Sequence, residues 1–109
     1  MSEKEEEIDV SILKDNHSFS ISIRFSIMLI LYVHRRISFL NLQKLLNLTS
    51  GNLNHHLNKL VDENFIEQKK ILFSKRPLTF IFITEKGKQE FGQYLDKFKD
   101  VIKKIEEEN

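Results

Sequence analysis

Cysteine is absent from the 109 residues, which removes both a disulfide framework and a thiolate metal site. Long apolar runs are missing too. The longest, Ile27 to Val33, falls far short of the roughly 20 residues that span a bilayer. The first residues are rich in glutamate, with no basic region leading into a hydrophobic segment and cleavage site. No secretory signal is therefore expected, and the chain is placed in the cytoplasm with no membrane partner. No glycine-rich phosphate loop is visible, and proline occurs once, at Pro77. The histidines are His17, His34, His55 and His56, and no two have the i, i+4 spacing of a helical metal pair. His55 and His56 would point about 100° apart on a helix and cannot share a metal facially. Carboxylates gather at the chain ends or on wet helix faces. No catalytic constellation emerges, so neither an enzyme nor a cofactor nor a metal is expected.

What remains is a globular composition, 40% apolar and 30% charged, at a length that fits one domain and favours a partner subunit. The net charge of +1 conceals a split. Residues 1–7 hold four Glu against one Lys, and residues 106–108 are three Glu. Residues 8–105 hold 16 Lys and Arg against 9 Asp and Glu. A basic body between acidic fringes points towards a polyanionic partner.

The stretch Thr49 to Leu60 organises the chain. At about 100° per residue, Leu57 and Leu60 fall within about 40° of Leu53, a narrow apolar stripe of helical period. Gly51, Asn54, His55, Asn58, Lys59 and Asp62 project the other way, with Asn52 on the flank. Thr49 or Ser50 supplies an N-cap hydroxyl. A wet helix face usually carries Glu and Lys, whereas this one carries amides, imidazoles and one lysine. Those groups can hydrogen-bond base edges in a major groove; the bland alternative is a solvated face that happens to be rich in Asn.

Around that helix the remaining elements fall into order. Residues 1–16 form an acidic arm in which Ile8, Ile12 and Leu13 mark a short helical face, expected to dock on the body or on a second subunit. Phe19 to Ile27 alternates in strand fashion, but Phe25 to Val33 is apolar nearly all round. A buried helix from about Ser20 to His34 is expected, covered in part by a partner subunit. Ile37-Ser38 reads as a short strand ending in an N-cap for a helix at 39–46 that buries Phe39, Leu42 and Leu45 or Leu46. Asn47-Leu48-Thr49 is then the tight turn of a helix-turn-helix. Phe65 to Phe73 and Leu78 to Ile83 have strand composition, and Ser74-Lys75-Arg76-Pro77 between them makes a β-hairpin with a basic tip. In the second strand Thr79, Ile81 and Ile83 face one side while Phe80 and Phe82 face the other. Two apolar faces call for a second cover, either the N-terminal segment or a partner subunit. Thr84 can cap a last helix from Glu85 to about Glu106. Its Phe91, Leu95, Phe98, Ile102 and Ile105 repeat as a coiled-coil seam, widened by Tyr94 and Val101. With the domain taken as closed without this helix, the seam is read as a dimer contact, with Gly92 letting two backbones approach.

The fold expected is mainly α with a small β-hairpin (α+β): an arm at 1–16, a winged helix-turn-helix at 17–84 and a dimerisation helix at 85–109. Ile37-Ser38-Phe39-Leu40, Leu42 to Thr49, Gly51-Asn52-Leu53 with His56-Leu57 and Lys59-Leu60, Asn64-Phe65-Ile66, Lys70, Arg76-Pro77, Thr79 and Ile83 to Gly87 carry a more specific likeness. Together they resemble the small winged helix-turn-helix transcriptional regulators of archaea and bacteria related to the MarR and ArsR families. The likeness spans roughly Arg24 to Tyr94. It departs at Asn64, where that family usually has Gly, yet Asn tolerates the same left-handed backbone.

The resemblance implies a homodimeric regulator of double-stranded DNA whose C-terminal helices build the dimer. Thr49, Ser50 and the bare amides at the helix N-terminus suit a phosphate, joined by Asn52. Asn54, His55, Asn58 and Lys59 are candidates for base edges. His56, nearer the core edge, is read as a packing or hydrogen-bonding residue. Lys75 and Arg76 would enter the minor groove or grip phosphate, with Lys69 and Lys70 as backbone clamps. Phe91, Tyr94, Leu95, Phe98, Ile102 and Ile105 would form the dimer seam. The alternative is a winged-helix adaptor that binds protein, which predicts an apolar outer face on the central helix and an uncharged wing. Nine Phe also admit an effector pocket at the seam, although core packing explains them as well and is preferred.

Overall fold

A computed structural model describes residues 22–108, so the expected arm at 1–16 lies outside the described residues. Four helices and three strands follow in the order α1 (Ile23–His34), β1 (Arg36–Ser38), α2 (Phe39–Leu46), α3 (Ser50–Asp62), β2 (Ile66–Phe73), β3 (Arg76–Ile83) and α4 (Glu85–Glu108). The strands form one antiparallel sheet in the order β1-β3-β2. This is the α+β winged helix expected from the sequence.

Hydroxyl caps set where the first three helices begin. Ser22 accepts from the Phe25 amide, Ser38 from Asn41 and Thr49 from Asn52, each at 3.1 Å. Each cap residue is itself extended, so the chain turns into the helix at that point. The first helix thus starts at Ile23, later than the apolar pattern suggested, because Ser22 serves as its cap. Left-handed residues end the elements: Asn47 closes α2 at φ 55° and Asn64 follows α3 at φ 65°. At that second stop the Phe65 amide reaches back to the Leu60 carbonyl at 3.0 Å, satisfying a helix end that would otherwise be orphaned. Asparagine pays little for this backbone, as its place in the motif implied.

The core joins α1, α2, α3, the inner face of the sheet and the first turns of α4. Ile27, Ile30, Leu31, Leu42, Leu53, Leu57, Ile66 and Ile81 are fully buried. Ser26, the buried polar residue among them, donates its hydroxyl to the Ser22 carbonyl at 3.1 Å. The protomer itself therefore covers most of α1, which needs less help from a partner than its all-round apolarity suggested. In α2 the buried pair is Leu42 with Leu46, while Leu45 is exposed and Phe39 packs at the edge of the core.

The hairpin is tighter than the proline implied. Arg76 already pairs with Phe73 and Pro77 with Leu72, which leaves Ser74-Lys75 as the turn. Ser74 takes the left-handed backbone at φ 60°. On the outer face of the sheet, Phe80 and Phe82 lie 6.4 Å apart and are only half-buried. Arg36 stands 5.8 Å over Phe80 and Lys69 stands 5.3 Å over Phe82. Alkyl stems and cation–π contacts from the neighbouring strands thus provide much of the second cover that the apolar face required.

At the start of α4, Thr84 accepts from the Gly87 amide at 2.9 Å and donates to the Asn64 carbonyl at 2.7 Å. Lys86 reaches the Glu63 carbonyl at 3.0 Å. A Cβ at Gly87 would overlap the Phe65 carbonyl oxygen, so glycine lets α4 approach the end of α3. Further on, Phe91 packs in this protomer's own core against Phe25 at 5.3 Å and Tyr32 at 5.7 Å. The domain is therefore not closed without α4, contrary to the expectation from the sequence. Gly92 likewise meets the Tyr32 ring of its own chain, where close approach of a second backbone had been expected.

Candidate nucleic-acid interface

Three buried leucines, Leu53, Leu57 and Leu60, hold α3 against the core. Their spacing forces the opposite face outward, and Asn52, Asn54, His55, Asn58 and Lys59 are all exposed there. At the N-terminal end Gly51 has nothing within 4 Å of where a Cβ would stand. With the Asn52 amide held by Thr49, the amides of Ser50 and Gly51 lie ahead of the first helical hydrogen bonds and point along the axis towards solvent. A bare backbone with a partial positive charge is suited to an anion.

The wing stands beside this face. Strand alternation and register place Gln68, Lys70 and Thr79 on the side of Ile66, Ile81 and Ile83. Asn54 shares a recess of about 420 Å3 with Phe39, Gln68, Lys69, Lys70 and Thr79. Gln68 and Thr79 were not among the sequence candidates, although their two-residue offsets from Lys70 and Ile81 carried the signal. Lys69 touches this recess too but carries its charge to the other face of the sheet. Its ammonium lies 3.6 Å from Glu67 and over Phe82, on the outer face of the sheet, so Lys69 and Lys70 do not form a pair. Lys75 and Arg76 are exposed at the tip.

His56 differs from its neighbour. It is half-buried, its Nδ1 has no hydrogen-bond partner, and its ring meets His55 edge-on at 5.5 Å. Burial pushes its pKa below the usual 6.5, helped by the positive charge of Arg24 and by His55 and Lys59. A neutral, inward-leaning imidazole fits packing better than base contact. Among the described residues no cluster of His, Asp and Glu could hold a metal ion, and no helix is long and apolar enough to cross a membrane.

Along α4 the seam residues divide. Phe91 is buried and Leu95 packs on the core, whereas Tyr94, Phe98, Ile102 and Ile105 are 54%, 52%, 43% and 54% exposed. Val101 joins them at 55%. The C-terminal half of α4 thus bears an apolar stripe that the described residues leave uncovered.

Comparison with known proteins agrees with this architecture. Residues 23–102 match the family described as the winged helix DNA-binding domain. An uncharacterized protein of Methanocaldococcus jannaschii is 40% identical over 88 residues, which cover 81% of this chain and 96% of that one. The transcriptional regulator homologue of Pyrococcus horikoshii has a similar structure, with a TM-score of 0.70 at 30% identity over 88% of this chain and 95% of that one. A MarR-like transcriptional regulator of Thermotoga maritima shares the fold with a TM-score of 0.67 at 20% identity, over 87% of this chain and 68% of that one.

Proposed function

The chain belongs to the winged helix DNA-binding domain family, and from that premise we propose that it is a sequence-specific transcriptional regulator acting as a homodimer on double-stranded DNA. The observation that carries this is the outer face of α3, where amides, an imidazole and a lysine are exposed beside a cationic wing. Thr49, Ser50 and Asn52 hold a backbone phosphate at the helix N-terminus. Asn54, His55, Asn58 and Lys59 read base edges in the major groove, where Asn suits adenine and Lys suits guanine. Lys75 and Arg76 grip the backbone or enter the minor groove, and Lys70 clamps phosphate from the wing root. Lys69 adds charge to the same field from the far side of the sheet.

A helix apolar on its exposed stripe asks for an apolar partner, and a second copy supplies one by symmetry. Tyr94, Phe98, Val101, Ile102 and Ile105 of two chains bury one another, with Phe91 and Leu95 bracing the stripe from within. A two-fold pair of α3 helices then spans successive major grooves about 34 Å apart and prefers a pseudo-palindrome. The experiment is selection of bound duplexes from a random pool at moderate salt, followed by salt titration of the Lys75→Ala/Arg76→Ala protein. Enrichment of a two-fold motif is expected, with a salt slope lower by about 1–2 in the variant. A pool that stays random defeats the specific reading.

A further inference from the structure

The recess between α3 and the wing is polar and uncommitted. Asn54 lines it from α3, Phe39 from α2, and Gln68, Lys69, Lys70 and Thr79 from the wing strands. Thr79 stands directly across from Lys70 in the pairing of β2 with β3, and Gln68 lies two residues before Lys70 on the same face. Cross-strand neighbours of this kind have Cβ atoms about 5 Å apart, and a diagonal pair such as Gln68 and Thr79 falls within about 8 Å. An ammonium, an amide and a hydroxyl thus converge within reach of one small anion. Gln68 and Thr79 are half-buried. Among the described residues no hydrogen bond or ion pair engages the side chain of Gln68, Lys70 or Thr79.

Charge and position agree on what the recess would hold. Glu67 offsets Lys69 on the outer face of the sheet, so Lys70 supplies the net charge on the inner one. Phe39 is the first residue of α2, and the positive end of that helix therefore borders the recess. The volume of about 420 Å3 takes a phosphate group together with several waters at roughly 30 Å3 each. A helix with its side chains is about 10–12 Å across, and a major groove is about 12 Å wide. With α3 in the groove the helix fills it. Whatever stands beside the helix then meets the wall of the groove, which is sugar and phosphate, and the recess lies at that boundary.

We propose that this recess seats one phosphate of the strand that walls the groove, with Lys70 supplying charge and Gln68 and Thr79 one hydrogen bond each. This rests on the DNA-binding function proposed above and adds two residues to it. Hydrogen bonds to a charged acceptor are short and roughly twice as strong as neutral ones. Gln68 and Thr79 therefore fix how deep α3 sits and where along the groove it stops, while Asn54, on the helix side of the recess, is left to its base. Because the seat spans α3 and the wing, docking of the wing sets the register of the reading helix. Phosphate contacts carry no base preference of their own, so the seat acts on every sequence alike.

The test uses the full chain and a random-sequence duplex. Thr79→Val keeps the shape and loses the donor, and about tenfold weaker binding is expected, with the salt slope unchanged because no charge is lost. Thr79→Ser keeps the hydroxyl and should bind as the unaltered chain does. Gln68→Glu sets a carboxylate against the phosphate and should cost more than about tenfold. Lys70→Gln should lower the salt slope by about 1. On a duplex selected for binding, single phosphates are then replaced by neutral methylphosphonate. One position in each half-site should weaken the unaltered chain while Lys70→Gln loses nothing further there. Thr79→Val binding like the unaltered chain, Thr79→Ser binding as weakly as Thr79→Val, or no phosphate coupled to Lys70 overturns the proposal and leaves the DNA-binding function standing. If the unaltered chain binds no duplex, that function fails and the seat fails with it.

Discussion

Helices α3 and α4 both carry an apolar stripe of helical period, yet they use it in opposite ways. The stripe of α3 is short and wholly consumed by the core, so the side chains it fully exposes to solvent are polar. The stripe of α4 runs past the end of the domain, so its first turns complete the core and its last turns are left bare by the described residues. Exposed amides next to exposed cations suit a hydrated, charged partner such as DNA. Exposed Phe, Tyr and Ile in a line suit another protein surface. One periodic pattern thus leaves two different surfaces, and the length of the helix relative to the core decides which.

Breaking the α3 stripe should have the largest effect. Leu57→Ala removes a fully buried side chain and is expected to cost about 2–5 kcal/mol in denaturant unfolding. A loss below about 1 kcal/mol would mean that α3 is not pinned as described. The α4 stripe should behave differently. Phe98→Asp with Ile102→Asp changes exposed residues, so helicity should persist while sedimentation shows half the native mass. An unchanged mass counts against the seam.

The two glycines of α4 sharpen the contrast further. Gly87→Ala drives a Cβ into a backbone oxygen, and about 1–3 kcal/mol should be lost. Gly92→Ala meets the movable end of Tyr32, and the gain in helix propensity should offset most of that contact. Dissociation of the proposed dimer by Gly92→Ala would restore the close backbone approach that the sequence suggested.

The smallest effect concerns His56. Its folded pKa lies below the value of 6.5 that it has when unfolded. Protons therefore favour the unfolded chain as pH falls through 6.5, and stability present at neutral pH declines as the pH is lowered. His56→Gln should flatten that decline in thermal unfolding followed across this range. An unaltered pH profile would show that His56 is not the group responsible.

Most of the fold was legible because local chemistry and period agreed. Leu53, Leu57 and Leu60 were readable as a stripe, Ser38 as one cap and Thr49 or Ser50 as the next, and Asn64 as a left-handed stop. What escaped depended on partners distant in sequence. Phe91 and Gly92 fitted a dimer seam until Phe25 and Tyr32 were seen to meet them. Lys69 and Lys70 are adjacent in the chain but leave opposite faces of a strand, and the register that also brings Gln68 and Thr79 towards Asn54 comes only from the pairing of β2 with β3. The single proline marked the hairpin but not its tip, because Pro77 needs no donor where it pairs with Leu72.

The most direct measurement is equilibrium binding of Asn54→Ala and Asn58→Ala, beside the unaltered protein, to a selected duplex and to its scrambled counterpart at one salt concentration. If α3 reads bases, each variant should lose about 1–3 kcal/mol on the selected duplex and bind the scrambled one as before. Equal losses on both duplexes, or none on either, would contradict the assignment of that helix face to sequence recognition.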